Sequence, residues 1–173
     1  MTATPSGTAG TVVWVTGLPA AGKSLFAAEV KGRLDARGRA AVVLDSDALR
    51  AVLGGALGYG SGDREAFYRA LAELAALLAA QGLVVLVPAT AHRRAFRAAA
   101  RALAPRFVEV HVTTPLATCE GRDPKGLYAA ARAGRAPDLP GVGLAYEPPE
   151  TPEVVASGGL DSAAMERVLT LVS

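Results

Sequence analysis

The sequence predicts an α/β domain: a doubly wound, parallel five-stranded sheet between helices. Three observations carry that expectation. Short, continuously apolar runs rich in Val recur along the chain, and segments with helical spacing alternate with them. Uninterrupted apolar strands are strands covered on both faces, and strict strand–helix alternation is the pattern of a parallel sheet. The first strand also opens directly into a glycine-rich turn and a helix.

Taken in order, residues 11–16 (TVVWVT) form a buried strand, β-branched and aromatic. Leu25, Ala28 and Leu34 mark a helix over 23–37, closed by Gly38. Residues 41–44 are a second strand that ends in Asp45-Ser46-Asp47, followed by a short helix over 48–53. Five glycines and a tyrosine make 54–62 a loop. Asp63 can cap a long helix that runs to 81, with Gly82 at its end. A third strand covers 83–87, an Arg- and Ala-rich helix 92–103, and a fourth strand 107–112. Short helices follow over 116–121 and 124–133. Residues 138–152 are irregular and proline-rich, 152–155 an edge strand, and 161–171 a closing helix. Residues 1–10, small and polar, read as a flexible tail, and 11–173 as one domain.

Composition narrows the class. The 173 residues carry a net charge of +2 and are 51% hydrophobic, enough for one well-cored domain. Aromatics are 5%, Ala fills 37 positions, and Asn and Ile are absent, so the core rests on Ala, Val and Leu. One cysteine excludes an internal disulfide framework and a cysteine-rich zinc site. No apolar run approaches the roughly 18–20 residues of a membrane span, and nothing at the start resembles an export signal. The expectation is a cytoplasmic protein with no membrane and no nucleic-acid partner. Its spread surplus of Arg suits small anionic ligands.

The strongest motif is Gly17-Leu18-Pro19-Ala20-Ala21-Gly22-Lys23-Ser24, which fits G-x-x-x-x-G-K-[ST]. Glycines let backbone N–H groups wrap a phosphate, and the helix that starts near Lys23 points its positive end at the anion. Lys23 reaches the outer phosphates, and the Ser24 hydroxyl can ligate Mg²⁺. Strand before and helix after are the context this motif requires.

Asp45 and Asp47 stand at the carboxyl end of the second strand, the edge that lines the ligand crevice of an open α/β sheet. They could hold Mg²⁺-bound water or take a proton from an acceptor hydroxyl. Position alone equally allows Asp47 to be the N-cap of the helix over 48–53. Arg50, Arg64, Arg69, Arg93 and Arg94 follow strand ends as a group, where an anionic substrate would need them. Arg122-Asp123-Pro124-Lys125-Gly126-Leu127-Tyr128, with Arg132 and Arg135, is a basic segment bounded by Pro and Gly. Such a segment can close as a lid, over about 121–140, excluding water and supplying charge. Only three lysines stand against 15 arginines, and Lys23 and Lys125 are two of them. Cys119, His92 and His111 carry no metal-ligand spacing.

With these motifs in place, the chain resembles adenylylsulfate (APS) kinases over about residues 12–152. VVWVTGLPAAGKS is similar to the family's strand and phosphate loop, and LDSDALR to its D-G-D-x-x-R segment. FVEVHVTTPLATCEGRDPKGLYAAARAG, followed by GVGLAYEPPETPE, resembles its lid and C-terminal string. The resemblance implies a P-loop kinase that uses MgATP to phosphorylate the 3′-hydroxyl of adenosine 5′-phosphosulfate, giving PAPS and ADP. It implies that Gly17, Ala20, Ala21, Gly22, Lys23, Ser24 and Leu25 bind ATP, with Arg122 near its base. Ser24 and Asp45 would serve the metal, Asp47 the acceptor hydroxyl, and Lys125 the moving phosphoryl group. Asp45, Arg50, Tyr59, Arg64, Phe67, Arg69, Thr90, Lys125 and Leu139 would face the acceptor. The resemblance also implies a homodimer.

Some positions depart from the pattern. Phe67 replaces an Asn, Ala70 an Arg, Leu139 an aromatic, and Ala89-Thr90-Ala91-His92-Arg93 stands for I-S-P-Y-R. The altered residues fall on the acceptor side, so an alternative is a related phosphotransferase with another hydroxyl acceptor, a different nucleotide or a specialised metabolite.

Overall fold

β1 (Thr11–Thr16) is buried at every position, because parallel strands flank it and helices cover both faces. The computed structural model describes residues 9–53 and 58–173. Within them the order is β1, α1 (Lys23–Ala36), β2 (Ala41–Val43), α2 (Ser46–Val52), α3 (Ser61–Ala80) and β3 (Val84–Pro88). Then come α4 (Arg94–Leu103), β4 (Phe107–Val112), α5 (Leu116–Arg122), α6 (Leu127–Arg132), β5 (Val154–Ala156) and α7 (Ser162–Val172). The strands lie in the order β2-β3-β1-β4-β5, every neighbouring pair parallel.

Alternation along β1 divides the core between two faces. Val13 and Val15 pack with Phe26, Val30 and Leu34 of α1 and Met165, Val168 and Leu169 of α7. Val12 and Trp14 pack with Phe67, Leu71 and Ala75 of α3 and Phe96 and Ala100 of α4. Removing each large side chain here from water stabilises the fold by about 1.5–3 kcal/mol. After β1 the chain moves outward to β2 on one side and later to β4 on the other. The turn that follows β1 therefore sits at the topological switch point, where such sheets open a crevice.

Several element starts differ from the sequence reading, each for a contact reason. α2 begins earlier, at Ser46, because the Asp45 carboxylate caps it, accepting the N–H groups of Asp47 and Ala48 at 2.9 and 3.1 Å. Asp47 is thus not the N-cap. α3 begins at Ser61 with Gly60 at its N-cap, so Asp63 lies inside the first turn. Residues 54–57 of the expected loop lie outside the described residues. α4 begins at Arg94, because Ala91 has φ 40° and Arg93 is extended. Of the expected tail, residues 1–8 lie outside the described residues. Gly10 is buried, and its N–H donates to Ala79 O at 2.8 Å. Among the described residues no helix is long and apolar enough to cross a membrane.

Candidate active site

The phosphate loop leaves β1 at Gly17 and enters α1 at Lys23. Gly22 is the N-cap of α1 with φ 102°, a left-handed value that favours glycine. A Cβ at Gly22 would lie 2.9 Å from the Gly159 backbone, so the loop and the 157–161 segment touch main chain to main chain. Ala20 also takes a left-handed φ of 61°. Thr114 Oγ1 donates to Ala21 O at 2.7 Å, which anchors the loop from the end of β4.

Lys23 Nζ donates to Leu18 O at 2.7 Å and so lies folded over the loop. Burial pushes its pKa down to about 8, against a weaker opposing pull from Asp47. Ser24 Oγ donates to Asp45 Oδ2 at 2.7 Å. Partial burial opposes ionisation of Asp45. The hydrogen bonds from Ser24 and from the N–H groups of Ala48 and Asp47 outweigh it and hold its pKa below the usual carboxylate value. The Asp47 carboxylate, one residue inside α2, is exposed and pairs with Lys125 Nζ. That bond, with help from the Asp45 and Asp47 charges, raises the Lys125 pKa.

Lys23, Ser24, Asp47 and Lys125 line a cleft of ≈ 1160 Å³. At one end stand Pro19, Ala20, Gly22, Lys23, Ser24 and Leu25 with Arg122 and residues 157–161. At the other stand Arg50, Tyr59, Arg64, Thr90, His92 and Leu139. Asp47 lies between, one helical turn before Arg50. The Arg50 guanidinium covers the Phe67 ring at 3.7 Å and the Tyr59 ring at 4.6 Å, and donates to Gly58 O at 3.0 Å. Arg64 donates to Asp138 O at 2.8 Å, across the cleft mouth.

Not every residue named from the sequence reaches the cleft. Phe67 is fully buried and supports Arg50 from beneath, because its apolar ring belongs to the α3 core. Arg69 points away, 70% exposed beside Glu65. Gly17 and Ala21 shape the loop from behind: a Cβ at Gly17 would meet Val112 O at 2.7 Å, and Ala21 is buried. Asp45 acts through Ser24 and the α2 N-terminus.

The sequence assigns no individual role to several other residues in and beside the cleft. Tyr128 Oη donates to Pro19 O at 2.8 Å and ties the basic segment to the phosphate loop; burial and the neighbouring Cys119 raise its pKa. Asp123 caps the start of that helix through the N–H groups of Tyr128 and Ala129. His92 lines the far end with its pKa lowered to about 4, by burial first and then by Arg64 and Arg93, so it is neutral at pH 7. Ala91 has a left-handed φ that the proline of the I-S-P-Y-R pattern could not adopt.

Comparison with known proteins gives the family. The family model described as adenylylsulphate kinase matches residues 9–157. An adenylyl-sulfate kinase from Shewanella amazonensis is 42% identical, over 99% of this chain and 89% of that protein. One from Citrobacter koseri is 44% identical, over 86% of this chain and 75% of its own length. The fold superposes with a TM-score of 0.86 on a Mycobacterium tuberculosis APS kinase solved in complex with AMPPNP and APS. That protein is 41% identical, and the match covers 95% of this chain and 98% of that one. A match of this extent, running from the phosphate loop through the basic segment, means that the chain belongs to the adenylylsulphate kinase family.

Proposed function

We propose that this protein phosphorylates the 3′-hydroxyl of adenosine 5′-phosphosulfate with ATP, releasing PAPS and ADP. The observation that carries the reading is the Asp47–Lys125 pair, set between a phosphate cradle and an Arg- and Tyr-lined recess. Phosphoryl transfer needs positioning and charge neutralisation more than covalent chemistry, and the cleft supplies both.

Each residue has a role in this reading. The loop N–H groups and Lys23 hold the ATP phosphates, and Arg122 with residues 157–161 flanks the base. Arg50, Tyr59, Arg64, Thr90 and Leu139 receive the acceptor. Asp47 orients the acceptor hydroxyl and takes its proton. Lys125, released from Asp47 when substrates enter, neutralises charge on the phosphoryl group in flight. Residues 121–140 act as the lid that keeps water out.

The donor set fits Mg²⁺. Ser24 Oγ and the Asp45 carboxylate are adjacent, oxygen-only and beside the phosphate cradle. Among the described residues no three His, Cys, Asp or Glu side chains gather to hold a metal, so Ser24 and Asp45 would hold such an ion together with phosphate and water, as suits Mg²⁺. When bound, the ion offsets phosphate charge.

A cytoplasmic location and a homodimer complete the proposal. Light scattering on the purified protein tests the second.

One observation favours a second acceptor class. Leu139 lines the recess where the family pattern has an aromatic, and Tyr59 is 64% exposed. A coupled ADP-release assay over APS and a panel of other alcohols decides. APS-dependent ADP release with PAPS formed in equal amount is the expected result. An inert APS with another alcohol active would establish the second reading.

A further inference from the structure

Arg97 lies on the inner face of α4, 2% exposed. An arginine is almost never fully buried unless its charge and donors are all engaged. Here they are. Arg97 Nε donates to Glu109 Oε1 of β4 at 2.7 Å, and one terminal nitrogen donates to Ala91 O. The other donates to Glu147 O at 2.6 Å. One planar fork thus holds together the middle of β4, the turn after β3 and the 146–148 segment.

The turn it grips is strained and closely bonded. Ala91 sits at φ 40°, a conformation that costs a non-glycine residue free energy and persists only when neighbours over-determine it. The neighbours are present. Ala91 N–H donates to Tyr68 Oη at 3.1 Å. Thr90 O accepts from Thr16 Oγ1 at 2.6 Å; that hydroxyl proton being committed, Tyr146 Oη donates to Thr16 Oγ1 at 3.0 Å. His92 O accepts from Glu147 N at 2.8 Å, and Glu147 Oε2 accepts from Arg94 N at 2.8 Å. Thr90 and His92, which flank Ala91, both line the recess opposite the phosphate loop.

We propose that Arg97 is a positioning residue for the acceptor: by fixing Ala91 O and Glu147 O to β4 it sets the recess wall formed by Thr90 and His92. A buried ion pair by itself is weak evidence of stabilisation, since apolar residues of similar volume often do as well. The turn geometry is what the three-way fork adds, and Lys cannot reproduce it. The inference rests on the reading that the 90–92 end of the cleft receives the acceptor.

The test is Arg97→Lys in the full chain, which keeps the charge beside Glu109 but not the fork. Steady-state assays are expected to show the APS KM raised about tenfold or more, with the ATP KM within about twofold of wild type. Hydrogen exchange is expected to quicken at 90–94 while the phosphate-loop amides stay protected. A KM for APS that does not move, or both KM values rising together with a lowered melting temperature, would overturn the proposal. Glu147→Ala is the second variant should Arg97→Lys not fold. It removes the exposed carboxylate that accepts from Arg94 N and so loosens the segment whose carbonyl Arg97 grips, and a rise of about threefold in the APS KM alone is expected. Wild-type protein inert toward APS would refute the substrate reading instead, and the exchange experiment and the active alcohol of the panel would still decide the role of Arg97.

Discussion

Ser24 Oγ and Asp45 Oδ2 lie 2.7 Å apart, and the second Asp45 oxygen caps α2. A single carboxylate therefore joins the phosphate loop to the helix that carries Asp47 and Arg50. The register between the two ends of the cleft depends on it.

Asp45→Ala should cost about 1 kcal/mol through loss of the cap, seen as a lower urea midpoint. Asp45→Asn keeps the capping oxygen and isolates the charge. The folded pKa is depressed, so the charge contributes stability above the unfolded value, about 3.9, and loses it as pH falls through the lower folded value. The difference in urea midpoint between wild type and Asp45→Asn should be constant at neutral pH and close in acid. A gap that ignores pH would show that the charge stabilises nothing.

Lys23→Ala should abolish phosphoryl transfer with the fold intact by circular dichroism; a folded variant with near-normal turnover would sink the mechanism. Burial disfavours the charge of the wild-type side chain and lowers its pKa to about 8. The fold thus gains stability from this group as pH rises from about 8 towards the unfolded value near 10.4. ATP binding runs the other way, since the phosphates need the ammonium. Calorimetry should find ATP affinity falling above about pH 8 in wild type, a slope that Lys23→Ala lacks.

Asp47→Asn and Lys125→Ala should each lower kcat by about a hundredfold while ATP affinity changes by less than about twofold. The two groups share one ion pair, so the double variant should lose less than the product of the single losses. Unchanged turnover in Asp47→Asn would leave the carboxylate as nothing more than a surface partner of Lys125.

Gly159→Ala should weaken ATP binding by about tenfold, because its Cβ would lie 2.8 Å from Gly22 O and press on the phosphate loop. Gly158→Ala is the control: its Cβ meets Thr114 Oγ1 at 3.8 Å, an ordinary contact. Equal ATP affinities in the two variants would remove the 157–161 segment from the donor site.

The features legible in the sequence are those whose cause is local. Apolar runs such as TVVWVT announce strands covered on both faces, and the glycine-lysine-serine loop announces a phosphate cradle because its geometry lies within eight consecutive residues. The positions of Lys23, Ser24, Asp45, Asp47 and Lys125 follow from that frame and from the long string over 107–134. Helix starts are less legible, since a cap is a contact between a side chain and N–H groups two or three residues on. Asp45 and Asp47 both have the chemistry, and only their backbone geometry separates them.

Contacts between residues far apart in the chain have no period to betray them. That Phe67 enters the core rather than the cleft depends on how α3 rotates against β1 and β3. That Arg97 is buried among Glu109, Ala91 and Glu147, while Arg93 and Arg94 on the same helix start stay exposed, depends on where β4 and the 146–148 segment pass. The meeting of Gly22 with Gly159 joins residues from opposite ends of the domain. Local spacing could specify the strands, the phosphate loop and the charges available for catalysis. Packing, which pairs residues irrespective of their distance along the chain, specified the walls that hold those charges in place.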